Sequence, residues 1–311
     1  MSGALPVFHD PGFRADLGNG HRMPIGKFDL VADRLRASRH RLAWPAIEPV
    51  KRAQLKRVHT AAYIDAVQSG EPRALAESQK FPWSAGLYPS VCLTGGACLQ
   101  AARAAVAGRV GAAAALVSGF HHAHADHGEG FCTFNGLVVA ADVLHHDEGL
   151  ERIAVLDLDL HYGNGTASLC GPRPHLRALS IYGNDYMNNT PHRDASVRRH
   201  DDGPNHRSVP LLPGCDGPTM RAVVEREFGW LLEGGLPDVL LYQAGADPLR
   251  DDPYSPLDLG HDDLRARDAL VFRLAREAGV PVAWVLAGGY TEDVEQVVRV
   301  HVGTFDAWFN N

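Results

Sequence analysis

The chain has 311 residues, 45% hydrophobic and 22% charged, the proportions of a globular protein that can bury a large core. Its formal net charge of -7 gives no electrostatic footprint for direct nucleic-acid binding. The amino-terminal MSGALPVFHD lacks a basic segment followed by an apolar run, and Arg103 and Arg109 break the Ala-rich stretch 101–119, so neither a secretion signal nor a membrane span is expected.

In chain order, short apolar runs alternate with segments of helical periodicity. AAAALVSGF (112–120), IAVLDLDL (153–160), LRALSIYG (176–183), DVLLYQAG (238–245) and VAWVLAGG (282–289) read as strands. TMRAVVEREFGWLLE (219–233) and DDLRARDALVFRLAREAG (262–279) read as helices, the second closing on a glycine with Pro281 just beyond. Residues 184–217, rich in Asn, Pro, His, Asp and Arg, read as a long surface loop. The alternation predicts one α/β domain over 1–311, built on an open, mostly parallel sheet with helices on both faces. Five cysteines, Cys92, Cys98, Cys132, Cys170 and Cys215, form no CxxC pair and leave at least one thiol free, which predicts a reducing, cytoplasmic setting.

Ligands of such sheets bind beyond the carboxyl ends of the strands. Four predicted strand ends carry polar groups there: His121 and His122; Asp157, Asp159 and His161; Asp247; and Tyr290. In LDLDLHYGNG (156–165) the alternation of a strand puts Asp157, Asp159 and His161 on one face and Leu156, Leu158 and Leu160 on the other. Buried carboxylates need hydrogen bonds, an opposite charge or a cation. Two carboxylates and one imidazole suit zinc while leaving a position for water, so Asp159, His161 and Asp247 are assigned as metal ligands. Such an ion lowers the pKa of its water towards about 7, and a nearby histidine can accept the proton.

FHHAHADHGEGFCTFNG (120–136) resembles the signature of the histone deacetylase superfamily, in which paired histidines precede a Gly-Phe-Cys segment. LDLDLHYGNG, QAGADP (243–248) and LAGGYT (286–291) are similar to the remaining family motifs and stand in the family's order. The likeness runs from about Leu5 to Asp306, and GHRMPIGKF (20–28), VHTAAYI (58–64) and DHGEGFC (126–132) lean towards the class IV branch and its bacterial relatives. The resemblance implies an arginase-like open α/β fold and metal-dependent hydrolysis of an N-acyl amide, with zinc, or iron in its place, at Asp159, His161 and Asp247. It implies that His122, paired with Asn164, is the main general base and acid. His121, paired with Asp157, is the second histidine, and Tyr290 hydrogen-bonds the scissile carbonyl. Gly130 and Phe131 match the wall of a narrow acyl-lysine tunnel. Ser180, with Asp157, Asp159 and His161, matches a structural potassium site.

The chain departs from the family pattern at three places. Asn164 replaces an aspartate found in many relatives, Gly136 follows Asn135 where many have an acidic residue, and LAGGY is less Gly-rich than the common form. His124 and His127 are additional to the pattern and are expected as solvent-facing loop residues rather than as a second metal site. The expected substrate is an acylated lysine of a protein or peptide, or an acylated polyamine. An arginase or agmatinase shares the fold but needs further bridging carboxylates, and a non-catalytic acyl-lysine-binding module would not need the full set of ligands, histidines and tyrosine. Acyl-chain length and oligomeric state are left open by the sequence.

Overall fold

The computed structural model describes residues 3–18, 21–108, 110–186, 199–200 and 203–310. Its central strands are buried along their whole length, as in Ile153–Asp157 and Val282–Ala287. Strands of that kind need helices over both faces, the condition under which all-parallel sheets form. Among the described residues the strands are β1 (Leu5–Phe8), β2 (Leu42–Ala43), β3 (Ala112–Ala115), β4 (Ile153–Asp157), β5 (Leu176–Tyr182), β6 (His206–Pro210), β7 (Val239–Gly245) and β8 (Val282–Ala287). They form one eight-stranded sheet in the order β2-β1-β3-β8-β7-β4-β5-β6, and every pairing is parallel.

The described α-helices are α1 (Lys27–Arg36), α2 (Arg52–Leu55), α3 (Ala61–Ser69), α4 (Arg73–Ala76), α5 (Leu87–Ala107), α6 (Gly136–Glu148), α7 (Asn164–Cys170), α8 (Gly217–Leu232), α9 (His261–Ala278) and α10 (Val294–Phe309). Right-handed crossovers place α5 and α6 on one face as the chain moves from β1 through β3 to β4. The chain then reverses from β6 to β7 and on to β8, which puts α8 and α9 on the opposite face. There Phe272 of α9 packs 4.9 Å from the fully buried Trp284 ring of β8. Local chemistry sets the helix ends. Asn135 Oδ1 accepts from Val138 N at 3.1 Å to open α6. Asp263 Oδ2 accepts from Gly260 N at 3.0 Å to open α9, which closes at Gly279 with φ 70°.

The direction of winding reverses between β4, whose chain leaves towards β5, and its neighbour β7, whose chain leaves towards β8. The crevice beyond the carboxyl ends of β4 and β7 is therefore the topological switch point, where open α/β sheets bind ligands.

Three sequence expectations change. The run 153–160 is a strand only to Asp157, because the aspartates bond the following backbone themselves: Asp157 Oδ1 accepts from Asp159 N at 3.1 Å and Asp159 Oδ1 from His161 N at 2.9 Å. Leu156, Leu158 and Leu160 nevertheless all stay buried, so the two-sided pattern outlasts the ladder. The run 112–120 is a strand only to Ala115; at its far end Phe120 N donates to the Gln243 side chain at 3.1 Å instead of to a neighbouring strand. The 184–217 segment contains β6, an edge strand whose sequence HRSVP has no apolar run; residues 187–198 and 201–202 of that segment lie outside the described residues.

Candidate active site

The chain leaving β4 and the chain leaving β7 bring Asp159, His161 and Asp247 together. Their ligating atoms all lie within 4.8 Å of one another. His161 Nδ1 stands 3.2 Å from Asp159 Oδ1 and 3.1 Å from Asp247 Oδ2. The second oxygen region of Asp247 is anchored by Leu160 N, 3.0 Å from Oδ1. All three side chains are buried. Burial and the facing Asp247 raise the Asp159 carboxyl. Burial alone would depress His161, but the two carboxylates outweigh it and raise the imidazole to about 10. The cluster thus calls for positive charge.

Asp157 stands beside this trio, its Oδ1 accepting from Asp159 N. Its Oδ2 pairs with His121 Nδ1 at 2.7 Å, and Gln243 Nε2 donates to Oδ1 at 3.0 Å. The same Gln243 holds Phe120 N through its other atom, so one side chain fixes both the aspartate and the segment that carries the histidine pair. Burial would lower His121, yet Asp157 and Asp159 together raise it above its ordinary value. His122 behaves in the opposite way: burial, then the neighbouring His121 and His161, hold it well below 6.5. Its Nδ1 bonds Asn164 Oδ1 at 2.6 Å. At neutral pH His122 is therefore the ring with a free lone pair, and His121 the ring held close to a carboxylate.

Tyr290 follows β8. Its backbone N donates to Asp252 Oδ2 at 2.7 Å, and its ring lies edge-on to Tyr254, with centroids 5.3 Å apart, and 6.4 Å from that of His161. Burial, then Asp247 and Asp159, keep the phenol protonated well above its usual 10. The turn before it needs glycine for two reasons. Gly288 has φ +56°, and a Cβ there would sit 2.2 Å from the Asp247 carboxylate.

Gly130 lies against the ring of His122, where a Cβ would approach Cδ2 to 2.3 Å; φ is +48°. Phe131 beside it is held at φ 64° with its N–H donating to Gln79 O at 3.0 Å. Its ring stacks on Phe81 at 5.6 Å and stands 6.0 Å from that of Tyr290. The two residues thus line one approach to the histidine and the tyrosine. Ser180 pairs with Asp157 in the β4–β5 register and accepts from Gly163 N at 3.4 Å.

The sequence reading did not single out Lys27, Asp252, Gln243 or Tyr186. Lys27 is fully buried, donates to Gly288 O and to Gly289 O, and is pushed down to about 8 by burial. Asp252 accepts from the backbone of Tyr254 and Tyr290 and is raised to about 7 by burial and Asp247. Tyr186 stacks on His122 with centroids 3.8 Å apart. A glutamine inside LLYQAG and a lysine inside PIGKF are polar residues in apolar surroundings, and that was the available signal for two of the four. His124, expected to face solvent, has only 20% of its side chain exposed, because it packs on His127 and bonds Ser168 and Asn164.

A parallel open α/β sheet with this ensemble at its switch point defines a protein of the deacetylase-like α/β class. The histone deacetylase domain matches residues 21–305, and the chain belongs to that family. A histone deacetylase-like amidohydrolase of Pseudomonas aeruginosa is 30% identical over 81% of this chain and 67% of its own length. An uncharacterized protein of Picosynechococcus is 28% identical over 96% of both chains. The HD domain of HDA15 has the same fold, with a TM-score of 0.82 at 21% identity over 99% of this chain and 91% of that one. Family membership supports a deacylase or amidohydrolase.

Proposed function

We propose that the chain is a single catalytic domain, residues 1–311, that hydrolyses the N-acyl amide of an acylated lysine or an acylated polyamine with a divalent metal ion, zinc or ferrous iron, held by Asp159, His161 and Asp247. The observation that carries this reading is the convergence of that buried trio with His121, His122 and Tyr290 at one switch point. The donor set fits a borderline cation, and its two crowded carboxylates are otherwise left facing each other around one imidazole. The ion would supply a Lewis acid for the carbonyl and lower the pKa of water.

The chain's own residues then divide the remaining work. His122, neutral because of burial, takes a proton and later gives it to the departing amine, with Asn164 fixing its orientation. His121, tied to Asp157, adds electrostatic support. The Tyr290 hydroxyl, kept protonated, donates to the carbonyl oxygen as charge develops on it. Gly130 and Phe131 flank the alkyl chain that carries the amide. We also assign Ser180, with Asp157, Asp159 and His161, to a structural potassium site.

A binuclear ureohydrolase is less well supported, because two further buried carboxylates beside the trio are already used: Asp157 by His121 and Gln243, and Asp252 by two backbone amides. Five free, buried cysteines support a cytoplasmic setting, and no helix among the described residues is long and apolar enough to cross a membrane. The test is turnover on acyl-lysine peptides and acetylpolyamines of graded acyl length, followed as stoichiometric release of carboxylate and free amine. Release of urea from arginine or agmatine, or acyl-lysine binding without turnover, would overturn the proposal.

A further inference from the structure

His124 and His127 take no part in the hydrolytic site, yet they are arranged together. Their rings stack with centroids 4.5 Å apart and planes 7° apart. Both Nε2 atoms face Glu129, at 3.8 Å from Oε2 for His124 and 3.5 Å from Oε1 for His127. Donors placed 2.0–2.1 Å from a tetrahedral ion lie roughly 3.4 Å apart, so one ion could span the three with small adjustments. All three ligating atoms lie within 4.8 Å of one another.

The outer bonds decide which nitrogens carry the lone pairs. Ser168 Oγ donates its one hydrogen to Gly165 O at 2.7 Å, so against His124 Nδ1 at 2.9 Å it accepts. The His124 proton therefore sits on Nδ1 and the lone pair on Nε2. His127 Nδ1 lies 2.7 Å from Asp126 Oδ1, an acceptor only, which turns the His127 Nε2 lone pair towards Glu129, while the His124 Nε2 lone pair accepts from Asn164 Nδ2 at 3.2 Å, a bond that an ion would replace. A ring whose outer nitrogen is tied to a fixed acceptor is the usual form of a metal-ligating histidine. Side-chain exposures of 20%, 38% and 36% for His124, His127 and Glu129 leave the trio open to solvent, so an ion can enter and keep water as a further ligand.

We propose that His124, His127 and Glu129 form a second site for a borderline divalent cation such as zinc, separate from Asp159, His161 and Asp247, and that its occupancy slows the enzyme. The link runs through Asn164. Its Nδ2 donates to Glu129 Oε2 at 2.8 Å and to His124 Nε2 at 3.2 Å, while its Oδ1 accepts from His122 Nδ1 at 2.6 Å. A cation takes the His124 lone pair and draws charge from Glu129. The amide is then less polarised and is a weaker acceptor for His122, which becomes a poorer base. The inhibitory consequence rests on the hydrolase reading; the binding site does not.

The test titrates enzyme already holding one Co²⁺ equivalent with further Co²⁺. Bound metal is read by equilibrium dialysis and visible absorption, with kcat on an acetyl-lysine peptide measured in parallel. The wild type should bind a second equivalent, and kcat should fall about fivefold as it fills, a modest intersite effect. His127→Ala and Glu129→Gln should each keep the first equivalent, which also reports that they are folded, and lose the second. Absence of a second equivalent in the wild type, or its retention in both variants, overturns the site. Filling without any change in kcat overturns the link through Asn164. An enzyme with no turnover at all would contradict the proposed function while the dialysis result still decides the site.

Discussion

Replacing Tyr290 by Phe removes one hydroxyl and nothing else that the structure uses to hold the residue. The backbone bond to Asp252 at 2.7 Å remains. So do the edge-on contact with Tyr254 at 5.3 Å, the approach to Phe131 at 6.0 Å and the Lys27 ammonium 5.7 Å from the ring centre. Stability should therefore change by less than about 1 kcal/mol, the scale of a single net hydrogen bond. The hydroxyl meets its greatest demand in the transition state, where the oxygen bears more charge than in the ground-state amide, so kcat should suffer more than KM. Loss of one such donor costs about 2.7–4 kcal/mol, or roughly 10² to 10³ in kcat. Because burial and the nearby carboxylates keep the phenol protonated well above 10, the wild type should show no rate loss from its ionisation through pH 9. The assay is kcat, KM, metal content and melting temperature on one preparation of each protein. Wild-type turnover in a fully metallated Tyr290→Phe enzyme, or a large fall in melting temperature with chemistry intact, would refute the reasoning.

Three further outcomes follow from the geometry. His122→Ala should lower kcat by at least ~10²-fold with metal retained, and His121→Ala should be milder; equal, near-wild-type rates in both would remove their roles. Gly288→Ala puts a methyl 2.2 Å from the Asp247 carboxylate, so metal affinity measured by competition with a chelator should fall by about 10- to 100-fold, and an unchanged affinity would refute the crowding. His59 is buried neutral, donating from Nδ1 to His124 O and accepting at Nε2 from Asn135 N, and burial lowers it to about 4. Its folded value is depressed, so its contribution is fully present above pH 6.5 and is lost as pH falls towards 4, by about 3 kcal/mol in all. Urea unfolding at pH 7 and pH 5 should show about 2 kcal/mol of that loss in the wild type and a smaller one in His59→Gln; equal losses in the two proteins would contradict it.

The sequence made the site far more legible than its supports. Asp159, His161, Asp247, His121, His122 and Tyr290 stand at strand ends of an α/β pattern, where polar residues following apolar runs are conspicuous, and the structure brings them together. Strand ends were less legible. In IAVLDLDL the period-two pattern continues to Leu160 although the ladder stops at Asp157, because side-chain alternation does not reveal which acceptor a backbone amide uses. β6 was hidden for the converse reason: an edge strand with one neighbour carries HRSVP without the apolar run of a central one. Lys27, Gln243 and Asp252 act through contacts 261, 86 and 38 residues away in the chain, and such pairings exist only once the sheet order is known.

The account turns on a cation at Asp159, His161 and Asp247. The most direct measurement removes metal from the enzyme with a chelator, then restores zinc equivalent by equivalent while acetate release from an acetyl-lysine peptide and bound metal are followed together, in the wild type and in Asp247→Ala. The account predicts that the metal-free wild type is inactive, that activity returns in proportion to the first equivalent bound, and that Asp247→Ala recovers neither that metal nor turnover. Full acetate release by rigorously metal-free protein, or by Asp247→Ala, would contradict it.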